Sequence, residues 1–282
     1  MANITMDMIK DLRHKTGVGI NKCKEALEES GGDIDKAVKI LREKGLATAA
    51  KKEGREAKEG MIVIAEDSHG VAIVEVNAET DFVVKNERFQ HFAHEIAQEV
   101  LKTSPVNLEN FMQQKSSKDH SITIDEMRGS VINAIGENIQ ISRMKLIPKK
   151  SGMSVGCYSH QGGRIVTVVE ISGDQNHQDL AKMIAMHVAA AKPDYLKPED
   201  VPAHILDQEK EIAKAQMIGK PAEMVDKIVN GKISKFYDEV CLIKQKYIAD
   251  ESFTIEKLVA KENSSLKVTG FTCWQVGQHA IS

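Results

Sequence analysis

Aromatic residues are scarce in this chain of 282 residues, at 4% of the sequence. Each exposed Phe or Trp therefore needs an explanation. A basic excess is missing as well, because the formal net charge is −3 and the pI is about 6.4. Neutralising phosphates supplies most of the affinity of nucleic-acid binders, so direct nucleic-acid binding is not expected.

Cysteines are too few and too scattered for a disulfide framework or a thiolate metal site. The four stand far apart, at Cys23, Cys157, Cys241 and Cys273. Such single cysteines are typical of small buried side chains in a reducing cytosol. No apolar run approaches the roughly 20 residues that span a bilayer, and the amino terminus lacks the basic start and apolar stretch of a signal peptide. We therefore expect a soluble, cytoplasmic protein without a membrane partner.

Catalytic and nucleotide-binding motifs are also missing. There is no Gly-x-x-x-x-Gly-Lys-Ser/Thr loop and no Gly-x-Gly-x-x-Gly after a strand. His91 and His94 lie three residues apart on a predicted helix, but the second histidine of a zinc-protease motif is absent, which favours a pair of surface histidines. His187 lies among apolar residues and is predicted to be a hydrogen-bonded core residue. We expect no enzyme active site, no cofactor and no metal; a metal-dependent hydrolase is the remote alternative.

The first part of the chain is predicted to be helical. Apolar spacing indicates three short helices in residues 1–45. Thr5 can cap the first, and the third is expected to begin after Asp33 and to end at Gly45. So small a bundle resembles the ubiquitin-associated class of interaction bundles. A polar connector follows at residues 47–60.

The middle of the chain contains a diverged internal repeat. Each copy consists of two strands joined by a polar turn and followed by an amphipathic helix. The strands are predicted at 61–65 and 71–76 in the first copy and at 154–159 and 164–171 in the second. His160 is expected to be exposed at the tip of the second hairpin. The predicted fold is α+β, with the helical bundle followed by two related sheet-plus-helix subdomains.

Two further helices are predicted at 203–217 and 222–229, joined by Gly219-Lys220-Pro221. So short a turn makes them antiparallel, as an inserted helical hairpin that projects from the core. The predicted domains are 1–55 for the three-helix domain and connector, 56–150 for the first subdomain, 151–200 with 231–282 for the second, and 201–230 for the hairpin.

The most informative stretch lies between a strand and a helix, at residues 77–89. Asp81 and Phe82 stand side by side there, and neighbours in an extended segment point in opposite directions. If Phe82 faces the core, the segment is an ordinary strand-to-helix joint. If it faces outward beside a carboxylate, it can enter another molecule. Together with the bundle and the hairpin, this pair favours a protein-binding factor, and the residues alone go no further.

Two long motifs lead beyond that class. The first is Leu12-Arg13-x-x-Thr16-Gly17-x-Gly19-Ile20-x-x-Cys23-Lys24-Glu25-Ala26-Leu27, and the second is Glu75-Val76-Asn77-Ala78-Glu79-Thr80-Asp81-Phe82-Val83. Shorter matches in the same order are Ala49-Ala50-Lys51-Lys52, Ile135-Gly136-Glu137-Asn138-Ile139, Ile184-Ala185-Met186-His187-Val188-Ala189-Ala190 and Val268-Thr269-Gly270-Phe271. Together they closely resemble the elongation factor Ts family, the guanine-nucleotide exchange factors of elongation factor Tu, over nearly the whole chain.

This resemblance implies a specific activity. Such a protein binds Tu carrying GDP, loosens the Mg²⁺ and phosphate contacts, releases GDP, and leaves when GTP and aminoacyl-tRNA take over. The resemblance also implies that Phe82 wedges between two helices of Tu's nucleotide-binding domain, while Asp81 contacts the same region near the Mg²⁺ site. The full set of implied Tu contacts is Thr80, Asp81, Phe82, Val83, Arg13, Ile20, Asn21, Lys24, Lys52, Ile135, Gly136 and His160, the last near Tu's phosphate-binding loop.

The chain departs from its relatives in two places. Ile20-Asn21 stands where relatives often have two methionines, so contacts there are expected to be weaker. The chain stops soon after Val276-Gly277, whereas some relatives continue into a helical module that also touches Tu. Some relatives also dimerise through the helical hairpin, which leaves open a homodimer or an assembly of two Tu and two Ts chains. The remaining alternative is a general adaptor, which would have no use for the wedge at Phe82.

Overall fold

The computed structural model describes residues 4–215 and 222–278. The helices are α1 (Met6–Thr16), α2 (Ile20–Glu29), α3 (Ile34–Lys52), α4 (Asp81–Val84), α5 (Glu87–Thr103), α6 (Leu108–Gln113), α7 (Ile124–Ile135), α8 (Gln178–Ala191), α9 (Ala203–Ala215), α10 (Ala222–Val240) and α11 (Ile255–Glu262). The strands are β1 (Glu59–Glu66), β2 (Gly70–Ala78), β3 (Ile139–Pro148), β4 (Met153–His160), β5 (Ile165–Ser172), β6 (Lys246–Tyr247), β7 (Asp250–Thr254) and β8 (Lys267–Gln275).

These elements form two compact units. The first comprises the described residues within Met1–Pro148, Gly162–Arg164 and Gln275–Ser282. The second comprises those within Lys149–Gln161 and Ile165–Trp274. Each unit contains a three-stranded sheet with a helix packed on it, so the predicted α+β fold is confirmed.

The first unit begins with a three-helix bundle, as predicted. The Thr5 side chain accepts the Met8 N–H at the start of α1, and Gly17 ends that helix in the left-handed region at φ 64°. Leu12, Leu27 and other buried side chains fill the space between the three helices. Local capping and apolar spacing therefore account for this part of the fold.

The prediction that the third helix ends at Gly45 is wrong, because α3 continues to Lys52. Gly45 lies where α3 crosses α7, opposite Gly129. A Cβ atom on Gly45 would stand 2.9 Å from the Gly129 carbonyl oxygen. Glycine is needed there for the close approach of two helices, and it does not act as a stop signal.

The sheet of the first unit has the order β1-β2-β3, with both pairs antiparallel. Every residue of the central strand β2 is buried. Helix α5 packs on this sheet through Phe89, Phe92, Ile96 and Val100, all of which are buried. Since fully burying one large apolar side chain stabilises a fold by about 1.5–3 kcal/mol, this helix is a main anchor of the unit.

The second unit repeats the layout with β4-β5-β8 as its sheet. Helix α8 lies very close to the strand β4, because a Cβ atom on Gly156 would stand 2.1 Å from the Lys182 nitrogen. Ile171, Ile184 and Ile255 belong to its buried core. The internal repeat predicted from the sequence is therefore visible in the order of strands and the place of the helix.

The two helices of the predicted hairpin, α9 and α10, pack against each other in the second unit. The predicted turn at Gly219-Lys220-Pro221 lies outside the described residues. Helix α10 does not end at Val229 but runs to Val240. It passes through Gly231, whose surroundings are open. A glycine inside a helix costs only about 1 kcal/mol, so it did not have to mark a boundary.

His187 is a core residue, as predicted. Its side chain is 1% exposed, its Nε2 lies 2.9 Å from the Gln245 Oε1, and its Nδ1 lies 3.3 Å from the Ile248 nitrogen. Burial lowers the pKa of His187, and the bond with Gln245 opposes this shift only in part. The neutral ring therefore joins α8 to the segment that carries β6.

The four cysteines all lie within the described residues, and none of them forms a disulfide bond. Cys23 and Cys241 are buried, and burial raises the pKa of Cys241 to about 11. Cys157 and Cys273 are only half-buried, so the expectation of small buried side chains is confirmed for two of the four. Within residues 4–215 and 222–278, none of the helices has the length and apolar character needed to cross a membrane.

Candidate functional site

Phe82 is 79% exposed at the junction between β2 and α5. It lies in the single helical turn α4, where the Thr80 side chain accepts the Val83 N–H. The predicted strand-like turn is wrong. A helical turn forms instead because Thr80 is an effective N-cap. The outward orientation of Phe82 is confirmed, and Val83 takes the inward position, at 8% exposed.

Asp81 and Phe82 share a neighbour, Lys85. The Lys85 ammonium lies 2.7 Å from the Asp81 carboxylate and 6.0 Å from the centre of the Phe82 ring. The hydrogen bond from Lys85 lowers the pKa of the Asp81 carboxyl. The tip of the turn therefore presents an anion, an aromatic ring and a cation together. Lys85 was missed by the sequence analysis, although its spacing of four from Asp81 is a helical pairing signal.

The turn is held by two residues that follow α7. Glu137 accepts the Thr80 N–H through Oε2 at 3.0 Å and the Thr80 hydroxyl through Oε1 at 2.8 Å. In the opposite direction, the Asn138 N–H donates to the Glu79 Oε1 at 2.6 Å. These contacts join segments that are 57 residues or more apart in the chain. Glu137 lay inside a quoted motif but had no predicted role, because nothing local in the sequence indicates its partner.

A second predicted group of contact residues lines an open groove in the same unit. Arg13, Ile20, Asn21, Ile135 and Gly136 all border it. Arg13 and Asn21 are exposed, and Ile20 is 45% exposed. The groove runs between the start of α2 and the end of α7. The structure thus brings together two groups of residues, 13–21 and 135–136, that are more than 110 positions apart in the sequence.

Two lysines complete the predicted set in this unit. Lys52, the last residue of α3, donates a hydrogen bond from its ammonium to the Gly136 carbonyl. Gly136 in turn ends α7 in the left-handed region at φ 93°. Lys52 therefore lies beside the groove and beside Glu137. Lys24 is exposed on α2, 3.7 Å from Glu28, and is not among the residues that line the groove.

The three-helix bundle is joined to the rest of its unit by polar contacts as well. The Lys22 ammonium lies 2.7 Å from the Asn133 Oδ1, and the Arg88 guanidinium donates to the Thr16 carbonyl at 3.0 Å. Gly17 leaves room for that guanidinium, because a Cβ atom there would lie 1.7 Å from it. The first of these contacts lies in the groove itself, since Lys22 and Asn133 both line it.

His160 belongs to the second unit. The prediction that it is exposed at the tip of a hairpin is wrong, because it is the last residue of β4, is half-buried and pairs with Ile165. Its Nδ1 lies 3.0 Å from the Tyr158 hydroxyl. Gln161, Gly162 and the residue after them form the turn, so the strand extends one residue further at this end than its sequence pattern indicated.

The histidine pair on α5 is exposed, as predicted for both His91 and His94. Among the residues that the structure describes, no three or more His, Cys, Asp or Glu side chains are grouped so as to hold a metal ion. The candidate functional features of the first unit are therefore the exposed turn at Phe82 and the open groove beside Gly136.

Comparison with known proteins identifies the class. The profile of the family described as Elongation factor TS matches residues 79–278, which is more than half of the chain and includes the turn at Phe82. This is a class of translation elongation factors.

Individual relatives match over their full length. An elongation factor Ts from Protochlamydia amoebophila is 55% identical over 282 residues, which covers 99% of this chain and 100% of the relative. Those from Chlamydia felis and Chlamydia muridarum are 44% and 42% identical, each over 98% of this chain and 100% of the relative. The chain therefore belongs to the elongation factor Ts family.

Proposed function

We propose that this protein binds elongation factor Tu carrying GDP and promotes the release of GDP, so that GTP can replace it. It acts as a guanine-nucleotide exchange factor by protein binding, without a chemical step of its own. Phe82 enters Tu between two helices near the Mg²⁺ and nucleotide site, and Asp81 contacts the same region. The observation that carries this proposal is the exposure of Phe82, at 79%, on a turn that is fixed on both sides.

A large exposed aromatic side chain favours a binding role for energetic reasons. Burying a Phe in a partner contributes about 1.5–3 kcal/mol to binding. The turn is already ordered by Thr80 and Val83, so little conformational freedom is lost when the ring is buried. Because a wedge can be buried only when the partner opens, that energy favours the open form of Tu.

The consequence for GDP follows from linkage. If this protein binds nucleotide-free Tu more tightly than Tu carrying GDP, then GDP must bind the complex more weakly by the same factor. A factor of ten corresponds to about 1.4 kcal/mol. The energy available from Phe82 alone is therefore enough to weaken GDP binding by roughly 10- to 100-fold.

The groove supplies a second contact in the same unit. We infer that Arg13, Ile20 and Asn21, with Ile135 and Gly136 on the other side, dock on Tu's nucleotide-binding domain. Lys24 and Lys52 lie on the adjoining helices α2 and α3. Two contacts on one rigid unit strengthen each other, since the first places the second at high local concentration. His160, in the second unit, is proposed to approach Tu's phosphate-binding loop.

The decisive experiment measures the release of a fluorescent GDP analogue from Tu, with and without this protein. We expect strong acceleration by the wild type at micromolar concentration. Phe82→Ala should slow the accelerated release by roughly 10- to 100-fold while leaving the unfolding midpoint unchanged. The stability should not change because the ring is mostly in water already.

The matched control is Val106→Ala. Val106 is 89% exposed in the same unit, after α5, and is not part of either contact surface. With Val106→Ala, Tu should release GDP at the same rate as with the wild-type protein. No acceleration by the wild type would contradict the proposed function, and normal release by Phe82→Ala would contradict the wedge.

A further inference from the structure

The helical turn that carries Phe82 is too short to be stable by itself. Helix α4 has four residues, whereas the first turn of any helix is costly to form and isolated helices need about 12–15 residues. The two helical hydrogen bonds between its backbone groups are long. The Val84 nitrogen lies 3.4 Å from the Thr80 carbonyl oxygen, and the Lys85 nitrogen lies 3.3 Å from the Asp81 carbonyl oxygen. The cap from the Val83 nitrogen to the Thr80 hydroxyl is also 3.4 Å long. The shape of the turn must therefore depend on contacts from outside it.

A common solution is a capping box, in which a Glu three residues after the N-cap accepts the N–H of the N-cap residue. The N-cap of α4 is Thr80, and the residue three positions later is Val83. The side chain of valine cannot accept a hydrogen bond, and that of Val83 is buried in the core of the unit. The position that normally completes the box is thus used as a hydrophobic anchor.

Glu137 supplies the missing acceptor from 57 residues away. One carboxylate oxygen takes the Thr80 N–H at 3.0 Å, and the other takes the Thr80 hydroxyl at 2.8 Å. Both distances are shorter than the hydrogen bonds that the Val83, Val84 and Lys85 nitrogens make within the turn, at 3.3–3.4 Å. Bonds to an ionised acceptor are also stronger than neutral ones, so these two contacts dominate the polar contacts of Thr80.

Glu137 is itself held in place. It follows Gly136, which ends α7 and whose carbonyl accepts a hydrogen bond from Lys52. The next residue, Asn138, donates its N–H to Glu79 at 2.6 Å. Segments 79–80 and 137–138 therefore contact each other in both directions, and the backbone at Glu137 is held next to the turn from which its carboxylate accepts.

We propose that Glu137 is the positioning residue for Phe82, and that it completes in trans the capping box that the turn lacks. The exposed ring has little packing around it, so its direction is set by the backbone of α4, and that backbone is set at Thr80. The inference rests on the proposed function, in which Phe82 enters Tu. Glu137 does not need to touch Tu in order to act.

The same unit contains a matched control for this chemistry. At the other end of α7, Glu126 accepts the Thr123 N–H at 2.7 Å in an ordinary capping box. Glu126 and Glu137 are both half-buried, and each accepts the backbone N–H of an N-cap threonine. The two contacts differ in what they support, since Thr123 begins a helix of 12 residues and Thr80 begins the turn with Phe82.

The test compares Glu137→Gln with Glu126→Gln in the full-length protein. Glutamine replaces one of the two acceptor oxygens by an NH2 group and removes the negative charge, so the paired, charge-assisted bonds to the Thr80 N–H and hydroxyl are lost. In the absence of Tu, hydrogen exchange at the backbone amides of residues 83–85 should become about tenfold faster in Glu137→Gln and stay unchanged in Glu126→Gln. With Tu, Glu137→Gln should lower the maximal rate of GDP release by about tenfold, with little change in the concentration of this protein that gives half the effect.

Epistasis separates positioning from a general loss of stability. In the Phe82→Ala background, Glu137→Gln should cause no further loss of GDP release, because there is no ring left to position. An equal loss in both backgrounds, or equal effects of the two Glu→Gln changes, would overturn the inference. So would unchanged amide exchange at residues 83–85. No acceleration by the wild type would instead overturn the proposed function, and accelerated release that Phe82→Ala leaves unchanged would overturn the wedge; in both cases the amide exchange of the free protein would still test Glu137.

Discussion

The two copies of the sheet-plus-helix layout differ most in the connection between strand and helix. In the first unit, residues 79–86 lead from β2 to α5 through the turn that exposes Phe82. In the second unit, residues 173–177 lead from β5 to α8, and they read Gly-Asp-Gln-Asn-His. The strands and helices around the two connections correspond, and the connections do not.

The second connection satisfies its polar groups within its own unit. The Ser154 hydroxyl donates to the Asp174 carbonyl at 2.7 Å and accepts the His177 N–H at 2.9 Å. The Asp174 carboxylate accepts the Asn176 N–H at 3.1 Å. The first connection also takes its acceptor from its own unit, at Glu137, but it turns an aromatic ring toward solvent. The comparison teaches that the same layout supports two different connections, and that only the first exposes the aromatic ring on which the proposed binding to Tu rests.

The largest effect on stability is expected from Gly173→Ala, which breaks the second connection. Gly173 has φ 116°, and a Cβ atom there would lie 2.6 Å from the Ser265 carbonyl oxygen. Backbone strain and the clash together should lower the free energy of unfolding by about 3 kcal/mol, as measured by urea denaturation. GDP release from Tu per folded molecule of this protein should stay at the wild-type level, because none of the proposed Tu contacts lies in this connection.

Gly152→Ala is the control for that change. Gly152 also has a positive φ, of 73°, but nothing lies within 4 Å of a Cβ atom there. It should cost only about 1 kcal/mol, from the strained backbone alone. If the two alanines were equally harmful, the close contact with Ser265 would not matter. If Gly173→Ala slowed GDP release at full folding, the second connection would not be merely structural.

The helices of the two copies should also respond differently to pH. His187 on α8 is buried, and its pKa is lowered chiefly by burial, whereas His94 on α5 is exposed. The unfolded chain therefore binds a proton at His187 at a higher pH than the folded chain does. Its contribution to stability is complete above the unfolded pKa of about 6.5 and is lost as the pH falls toward the folded pKa, by at most about 1.4 kcal/mol per pH unit.

His187→Gln tests this sign. The variant should be less stable than the wild type at pH 7.5, by about 1–3 kcal/mol, because the contact with the Ile248 nitrogen and much of the ring packing are lost. The difference should shrink at pH 5.5, where the wild type carries the cost of keeping the ring neutral. His94→Gln should leave the free energy of unfolding unchanged at both pH 7.5 and pH 5.5. A difference that widened on acidification would contradict the neutral, buried histidine.

Much of this architecture could be predicted from the sequence because it depends on local signals. The bundle follows from caps such as Thr5 and from apolar spacing, and the two copies follow from alternating strands with polar turns. The outward direction of Phe82 needed more, since periodicity left both directions open. The resemblance of the Thr80–Val83 motif to a family supplied the expectation, and the structure adds the buried Val83 beside the ring.

What could not be predicted depends on contacts between distant segments. Gly45 was interpreted as a stop signal, because its crossing with Gly129 cannot be seen in sequence spacing. The second hairpin helix was predicted to end at residue 229, although α10 continues through Gly231 to Val240. Glu137 had no predicted role, because its partner Thr80 is 57 residues away. Residue type and spacing indicate elements and surfaces, while the residues that hold those surfaces in place are found only in the fold.

The smallest effect is expected from Lys85→Met, which sharpens the comparison at the tip of the first connection. Lys85 is close to both Asp81 and the Phe82 ring, but its side chain is 73% exposed and that of Asp81 is 48% exposed. Exposed ion pairs contribute little because water and salt screen them. The unfolding midpoint should therefore not change measurably, and GDP release should change by less than about twofold.

The pKa of Asp81 provides the more sensitive measurement. It is lowered chiefly by the hydrogen bond from Lys85, so in Lys85→Met it should rise toward the ordinary value for an aspartate in a carboxyl titration followed by NMR. Arg88→Met is a control, since Arg88 donates to Thr16 and lies outside the turn. Its loss should leave the Asp81 titration unchanged. A large loss of GDP release in Lys85→Met would mean that the cation itself contacts Tu, and the wedge would then consist of three side chains, Asp81, Phe82 and Lys85.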